Sequence, residues 1–287
     1  MSENEGLGKV LEKNQIIFED TLMTAQFNAV KHADNESWWL IMPHRYRGVF
    51  YTLLFQEGTV TGPFEQEIGI VYPEVGGRGV GQGVFSPDGT KYAMFEKYSQ
   101  VQYFDFDRET GQLSNAENLI AIPQDSVYVS GVAFSPDSRF LAFLKFDERE
   151  VPEFQLAMYG ALYPQQYKYK YPKAGEINSV VTLHLFDLKN TKIETVDLDS
   201  YEYIPRLNWS RKSNQLIVQT MNRHQNQLIV WSYVPSTNLL SKVYTEKEDT
   251  WVDIGYPDAS ANNWGDNDLP LIDNGTSFLR MTENDEW

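Results

Sequence analysis

The chain has 287 residues, no cysteine, and 40 acidic against 24 basic side chains, for a formal net charge of −16. Disulfides, thiol catalysis and cysteine-based zinc sites are therefore excluded, and the acidic excess argues against nucleic acid or anionic membrane as partners, since both need basic patches. Hydrophobic residues at 41% and aromatics at 14% suffice for a packed core; mean hydropathy is −0.45, and no run nears the roughly 18 apolar residues that span a bilayer.

The opening Met1-Ser2-Glu3-Asn4-Glu5-Gly6 lacks the basic and apolar regions of a signal peptide. Residues 1–13 are expected to be a tail and residues 14–287 a single domain. A first strand-rich unit surrounds Trp38-Trp39-Leu40-Ile41-Met42 and continues into residues 50–55. The glycine cluster at 76–83 has neither the Gly-Lys-Ser/Thr ending of a phosphate loop nor a following helix. It reads as a connection entering the next strand.

Two hydrophobic-Ser-Pro-Asp turns follow, Phe85-Ser86-Pro87-Asp88-Gly89 and Phe134-Ser135-Pro136-Asp137-Ser138. A looser copy stands at Trp209-Ser210-Arg211-Lys212-Ser213, and a turn-only copy at Asp273-Asn274-Gly275. Each precedes an alternating apolar strand, and Asp-Gly or Asn-Gly supplies the positive φ of a tight hairpin. The turns recur after about 50, 75 and 60 residues, against about 40–50 in known propeller repeats. The surplus points to insertions at 147–173 and 256–268. Within the first of these, residues 151–159 are the one stretch expected to form a short helix. The fold expected is all-β: a β-propeller of about five four-stranded antiparallel blades, with an incomplete or open ring, or six to eight blades, as alternatives. Residues 15–18 are expected to close the ring by pairing with the last blade.

No catalytic, cofactor or metal site is expected. His184 falls in an alternating strand and His224 in an Asn-Arg-His-Gln-Asn hairpin, and His32 and His44 have no motif around them. The acidic loops 105–107, 147–148 and 266–268 lack the spacing of a calcium-binding EF-hand. The most unusual patch is Tyr159, Tyr163, Tyr167, Tyr169 and Tyr171 interleaved with Lys168, Lys170 and Lys173. Aromatics with lysines can stack single-stranded nucleic acid, but the net charge opposes that. Tyr159, Tyr163, Tyr167 and Tyr169 are expected to form a protein-contact surface, for a protein or peptide partner or for self-association. Folding back to cap the parent blade is the alternative.

Residues from about 135 to 287 resemble the N-terminal β-propeller of the dipeptidyl peptidase IV family of serine peptidases. The resemblance rests on residues 135–143, on Phe146-Asp147-Glu148-Arg149-Glu150-Val151-Pro152, on Tyr171-Pro172-Lys173-Ala174-Gly175-Glu176-Ile177-Asn178, and on Asn222-Arg223-His224-Gln225-Asn226. Residues 14–140 are more loosely similar to WD40-like propeller repeats of secreted Bacteroidetes proteins, and a join of two propeller sources near 135–145 would carry both signatures. The resemblance implies periplasmic or secreted relatives, and an α/β-hydrolase whose serine sits on a Gly-x-Ser-x-Gly elbow. No such pentapeptide occurs in this sequence. Ile122-Pro123-Gln124-Asp125 stands where the family places a substrate-anchoring Glu pair, and Asp253-Ile254-Gly255-Tyr256 where it places an arginine and an aromatic. The expected role is a non-catalytic scaffold or protein-interaction propeller. The alternative is the substrate-gating portion of a peptidase.

Overall fold

The computed structural model describes residues 13–23, 26–69, 80–96, 100–121, 127–160, 162–210 and 214–254, with the short strands 271–272 and 277–278. Four four-stranded antiparallel sheets follow one another along the chain. The first comprises β1 (Asn28–Lys31), β2 (Trp38–Pro43), β3 (Val49–Gln56) and β4 (Thr59–Glu67). The second comprises β5 (Gly81–Phe85), β6 (Lys91–Glu96), β7 (Gln100–Asp107) and β8 (Gln112–Ala121). The third begins with β9 (Val127–Phe134) and β10 (Phe140–Asp147), from which the chain leaves to form a separate hairpin, β11 (Glu153–Met158) and β12 (Gln165–Lys170). It then returns as β13 (Val180–Asp187) and β14 (Lys192–Val196). The fourth comprises β15 (Tyr203–Trp209), β16 (Leu216–Met221), β17 (Gln227–Val234) and β18 (Leu239–Lys247). A last pair, β19 (Leu271–Ile272) and β20 (Ser277–Phe278), flanks the fourth expected turn, which itself lies outside the described residues, as does the insertion expected at 256–268.

Period-two alternation makes these sheets stack as blades, because successive side chains on a strand face opposite sides. On β6, Tyr92 and Met94 join a core with Trp39, Ile41 and Phe50 of the first sheet, while Ala93 and Phe95 join one with Val129 and Phe134 of the third. On β10, Leu141 and Phe143 face the second sheet, whereas Ala142 and Leu144 pack with Leu216 and Val218 of the fourth. Strands buried on both faces read as continuous apolar runs, as Phe140-Leu141-Ala142-Phe143-Leu144 does. The innermost strands β1, β5, β9 and β15 run beside one another.

The Ser-Pro-Asp turns stitch the blades together. Within the turns, Ser86 Oγ donates to Asp88 Oδ1 and Ser135 Oγ to Asp137 Oδ1, both at 2.6 Å. Asn35, Gly89 and Ser138 occupy equivalent positions and Asn214 stands one residue further along its own turn, all with positive φ. From two of them the side chain reaches back one blade: Ser138 Oγ accepts the Asp88 amide at 3.2 Å, and Asn214 Oδ1 accepts the Asp137 amide at 3.2 Å.

Two expectations need correction. Residues 151–159 hold no helix: β11 is a strand, because Phe154, Leu156 and Met158 alternate with Glu153, Gln155 and Ala157 and pair across to β12. Residues 15–18 form no strand. The segment around them lies over the outward face of the first sheet instead. Phe18 packs 4.7 Å from the Tyr51 ring, Leu22 bridges to His44, and the Met23 amide donates to Pro43 at 3.0 Å.

Burial has an electrostatic consequence at His184 on β13. The ring stacks on Phe143 with centroids 5.4 Å apart, and its Nε2 meets Thr182 Oγ1 at 2.8 Å. Burial, aided by nearby Lys145, pushes its pKa down to about 4 from 6.5. The unfolded chain therefore takes up this proton near pH 6.5, the folded chain only near pH 4, and stability declines as pH falls between those values. Water still reaching the ring damps the loss. The melting temperature is expected to fall from pH 6.5 to 4.5, and His184→Gln to flatten that slope; equal slopes in the two proteins would contradict the assignment.

Candidate functional site

The β11–β12 hairpin pairs with no other strand among the described residues. Its register places Phe154 opposite Tyr169, Leu156 opposite Tyr167 and Met158 opposite Gln165. Directly opposed residues share a face, so one side of the arm is apolar and aromatic. The other carries Glu153, Gln155, Lys168 and Lys170.

Aromatic contacts run along the apolar side. Tyr167 and Tyr169 have ring centroids 5.6 Å apart, Tyr169 and Tyr171 5.9 Å, and Phe154 lies 5.9 Å from both Tyr169 and Tyr171. The base of the hairpin is closed by contacts of its own. Lys170 Nζ donates to the Val151 carbonyl at 2.9 Å, the Tyr171 amide donates to Pro152 at 3.0 Å, and Lys173 lies over the Phe154 ring.

Of the four tyrosines singled out in the sequence, Tyr167 and Tyr169 lie on the apolar face, whereas Tyr159 and Tyr163 stand at the tip, 84% and 80% exposed. Neither tip residue folds back on a blade. Lys168 and Lys170 lie on the face opposite Tyr167 and Tyr169. Isolated two-stranded hairpins are marginal in water, and Leu156, Met158 and Tyr167 on the apolar face are exposed. Aromatics suit protein contacts because they bury large area at small entropic cost.

His32, His44 and the acidic loops 105–107 and 147–148 are engaged in bonds of their own. His32 Nδ1 lies 3.2 Å from Asp34, while its Nε2 meets the Glu109 carbonyl at 3.1 Å. His44 Nε2 lies 3.6 Å from Asp20, while its Nδ1 accepts the Tyr46 and Arg47 amides. Neither His–Asp pair leaves a ring nitrogen to activate a serine. Asp105 pairs with Lys91, Asp107 receives the Glu109 amide at 2.9 Å, and Asp147 pairs with Arg149. These bonds hold the carboxyls of Asp107 and Asp147 below the ordinary range. Among the described residues, no three His, Asp or Glu side chains are grouped to hold a metal ion, and no helix is long and apolar enough to cross a membrane. Residues 122–125 and 266–268 lie outside the described residues.

Sequence reasoning missed Arg108. Its guanidinium, on the loop after β7, donates to the carbonyls of Lys31 at 2.8 Å and His32 at 3.0 Å and to Asn35 Oδ1 at 2.7 Å. It also missed a cavity at the seam of the third and fourth sheets, whose lining comes from separate segments. Tyr167-Lys168-Tyr169-Lys170-Tyr171 did carry a usable signal, a strict alternation that marks β12 as an amphipathic strand.

Face-to-face four-stranded blades, with an aromatic arm leaving the third, define a β-propeller. Residues 128–287 match the family model of the dipeptidyl peptidase IV N-terminal region, and the chain belongs to that family. It is 33% identical over 145 residues to venom dipeptidyl peptidase 4 of Vespula vulgaris, a match covering 46% of this chain and 18% of that protein. It is 32% identical over 126 residues to inactive dipeptidyl peptidase 10 of Rattus norvegicus, covering 42% of this chain and 16% of that one. The crystal structure of Porphyromonas gingivalis dipeptidyl peptidase 4 superposes with a TM-score of 0.57 at 26% identity, over 79% of this chain and 33% of that one. The structural likeness thus reaches well into the first half. The aligned portion is under a fifth of the length of these curated relatives.

Proposed function

We propose that the chain is a non-catalytic propeller scaffold that associates with a second copy of itself through the β11–β12 arm. The observation carrying this reading is the exposed aromatic face of a hairpin closed at its base. Unpaired edges invite strand addition, and two such arms meeting about a two-fold axis form a self-complementary contact. Replacing Tyr159, Tyr163, Tyr167 and Tyr169 with serine tests it. Light scattering should give the native chain twice its 33.1 kDa mass and the variant the single mass, at unchanged melting temperature. A native monomer, with a variant that melts lower, would assign the tyrosines to capping their own blade.

The chain alone is expected to release no Xaa-Pro dipeptide above background, since it contains no nucleophile elbow. Measurable turnover would overturn the non-catalytic reading. The names of the relatives favour a second reading, in which the propeller gates substrates for an α/β-hydrolase domain. A hydrolase encoded in continuity with this sequence would support it.

A further inference from the structure

We propose that residues 18–23 form a strap that opens on its own, hinged at Met23, and so covers or bares the outward face of the first sheet. At the three junctions between the four sheets, both facing surfaces are apolar and packed. The outward face of the first sheet has the same pattern: Met42 on β2 and Val49, Tyr51 and Leu53 at alternate positions of β3 are buried. Among the described residues, the side chains that reach this face from outside the sheet are Phe18 and Leu22. A sheet packed there would lie about 10 Å away, in the space these side chains fill. Strap and ring-closing blade therefore exclude each other.

The two ends of the strap are held differently. Met23 is 1% exposed and joins Trp39, Ile41 and Tyr92 in the core between the first and second sheets. Its amide donates to the Pro43 carbonyl at 3.0 Å. That end can move only if the blades part. Towards residue 18 the hold is lighter. The Tyr51 hydroxyl donates to Asp20 Oδ2 at 2.5 Å, His44 Nε2 lies 3.6 Å from Asp20 Oδ1, and the Arg45 amide donates to the Thr21 carbonyl at 2.9 Å. Just before Phe18, Ile16 and Ile17 are exposed and add no apolar grip.

Segments with few buried contacts open locally while the body stays folded. The latch against that opening is the Asp20–Tyr51 bond. The Tyr51 hydroxyl and the Thr21 amide hold the Asp20 carboxyl below its ordinary range, so the acceptor is ionised at neutral pH. A hydrogen bond to a charged acceptor shifts such an equilibrium by about tenfold or more.

The chain has no cysteine, so a single introduced thiol reports opening through its rate of modification by a soluble reagent. Val49→Cys sets the probe beneath the strap, where the Val49 carbonyl accepts the amide of His44, the residue bridged to Leu22. Ile41→Cys sets it on the inward face of the same sheet, where it reports parting of the blades. Tyr51→Phe removes the latch hydroxyl and keeps the ring against Phe18. It should speed labelling at position 49 about tenfold and leave position 41 unchanged. Asp20→Ala should act alike, and the two changes together should do no more than either alone. Equal acceleration at both positions would overturn the strap, because the whole sheet would then be opening. Labelling at position 49 that ignores both changes would overturn the latch and the strap with it.

Discussion

Gly81→Ala should cost at least about 3 kcal/mol of stability, in the range of the severest single substitutions. A Cβ at position 81 would fall onto the Phe95 backbone carbonyl and onto Gln26 Nε2. The carbonyl belongs to β6, held between two neighbouring strands and two neighbouring sheets, so it cannot retreat. Gln26 is fully buried there and donates to that same carbonyl at 3.0 Å. Gly83 meets the Tyr92 hydroxyl and the Gln26 carbonyl in the same way, so Gly83→Ala should behave alike. Gly160 on the arm has nothing within 4 Å of its virtual Cβ, and Gly160→Ala should stay within about 0.5 kcal/mol of the native protein. Urea midpoints at constant m-value measure all three. A Gly81→Ala protein as stable as Gly160→Ala would contradict the close approach of the first two blades.

Arg108→Ala should lose about 2–4 kcal/mol, since hydrogen bonds from a charged donor contribute about 1.5–3 kcal/mol each and several are lost together. The Arg108 carbonyl also accepts the Trp39 indole at 2.9 Å and the Ala33 amide at 3.1 Å. The residue thus holds the first turn against the second blade from both ends. Arg108→Lys should recover less than half of the loss, because an ammonium cannot reproduce the planar fork that reaches three acceptors. Full rescue by lysine would mean that charge, not geometry, makes the clamp.

Blades were legible in the sequence because their signals are local. Ser86-Pro87-Asp88-Gly89 specifies a turn by its own side chains and φ, and Tyr92-Ala93-Met94-Phe95 a strand by its own composition. At 151–159, local spacing misled: six residues of mixed polarity fit either period until β12 supplies a partner. The arm's tyrosines stood out by composition, but their division between face and tip depends on cross-strand register. Arg108 and the seam cavity beside Arg223 were invisible, since their partners lie tens of residues away: Arg108 meets Lys31 and Arg223 meets Glu176. The remote carbonyls that define these sites follow from the stacking of whole sheets, which no window of sequence contains.

The most direct measurement is hydrogen exchange along Glu153–Met158 and Gln165–Lys170 at low and high protein concentration. In an isolated hairpin every second amide points outward and exchanges freely. Pairing with a second arm should slow those outward amides at high concentration, leave the blades unchanged, and vanish in the four-tyrosine variant. Arm exchange independent of concentration would contradict docking through this surface.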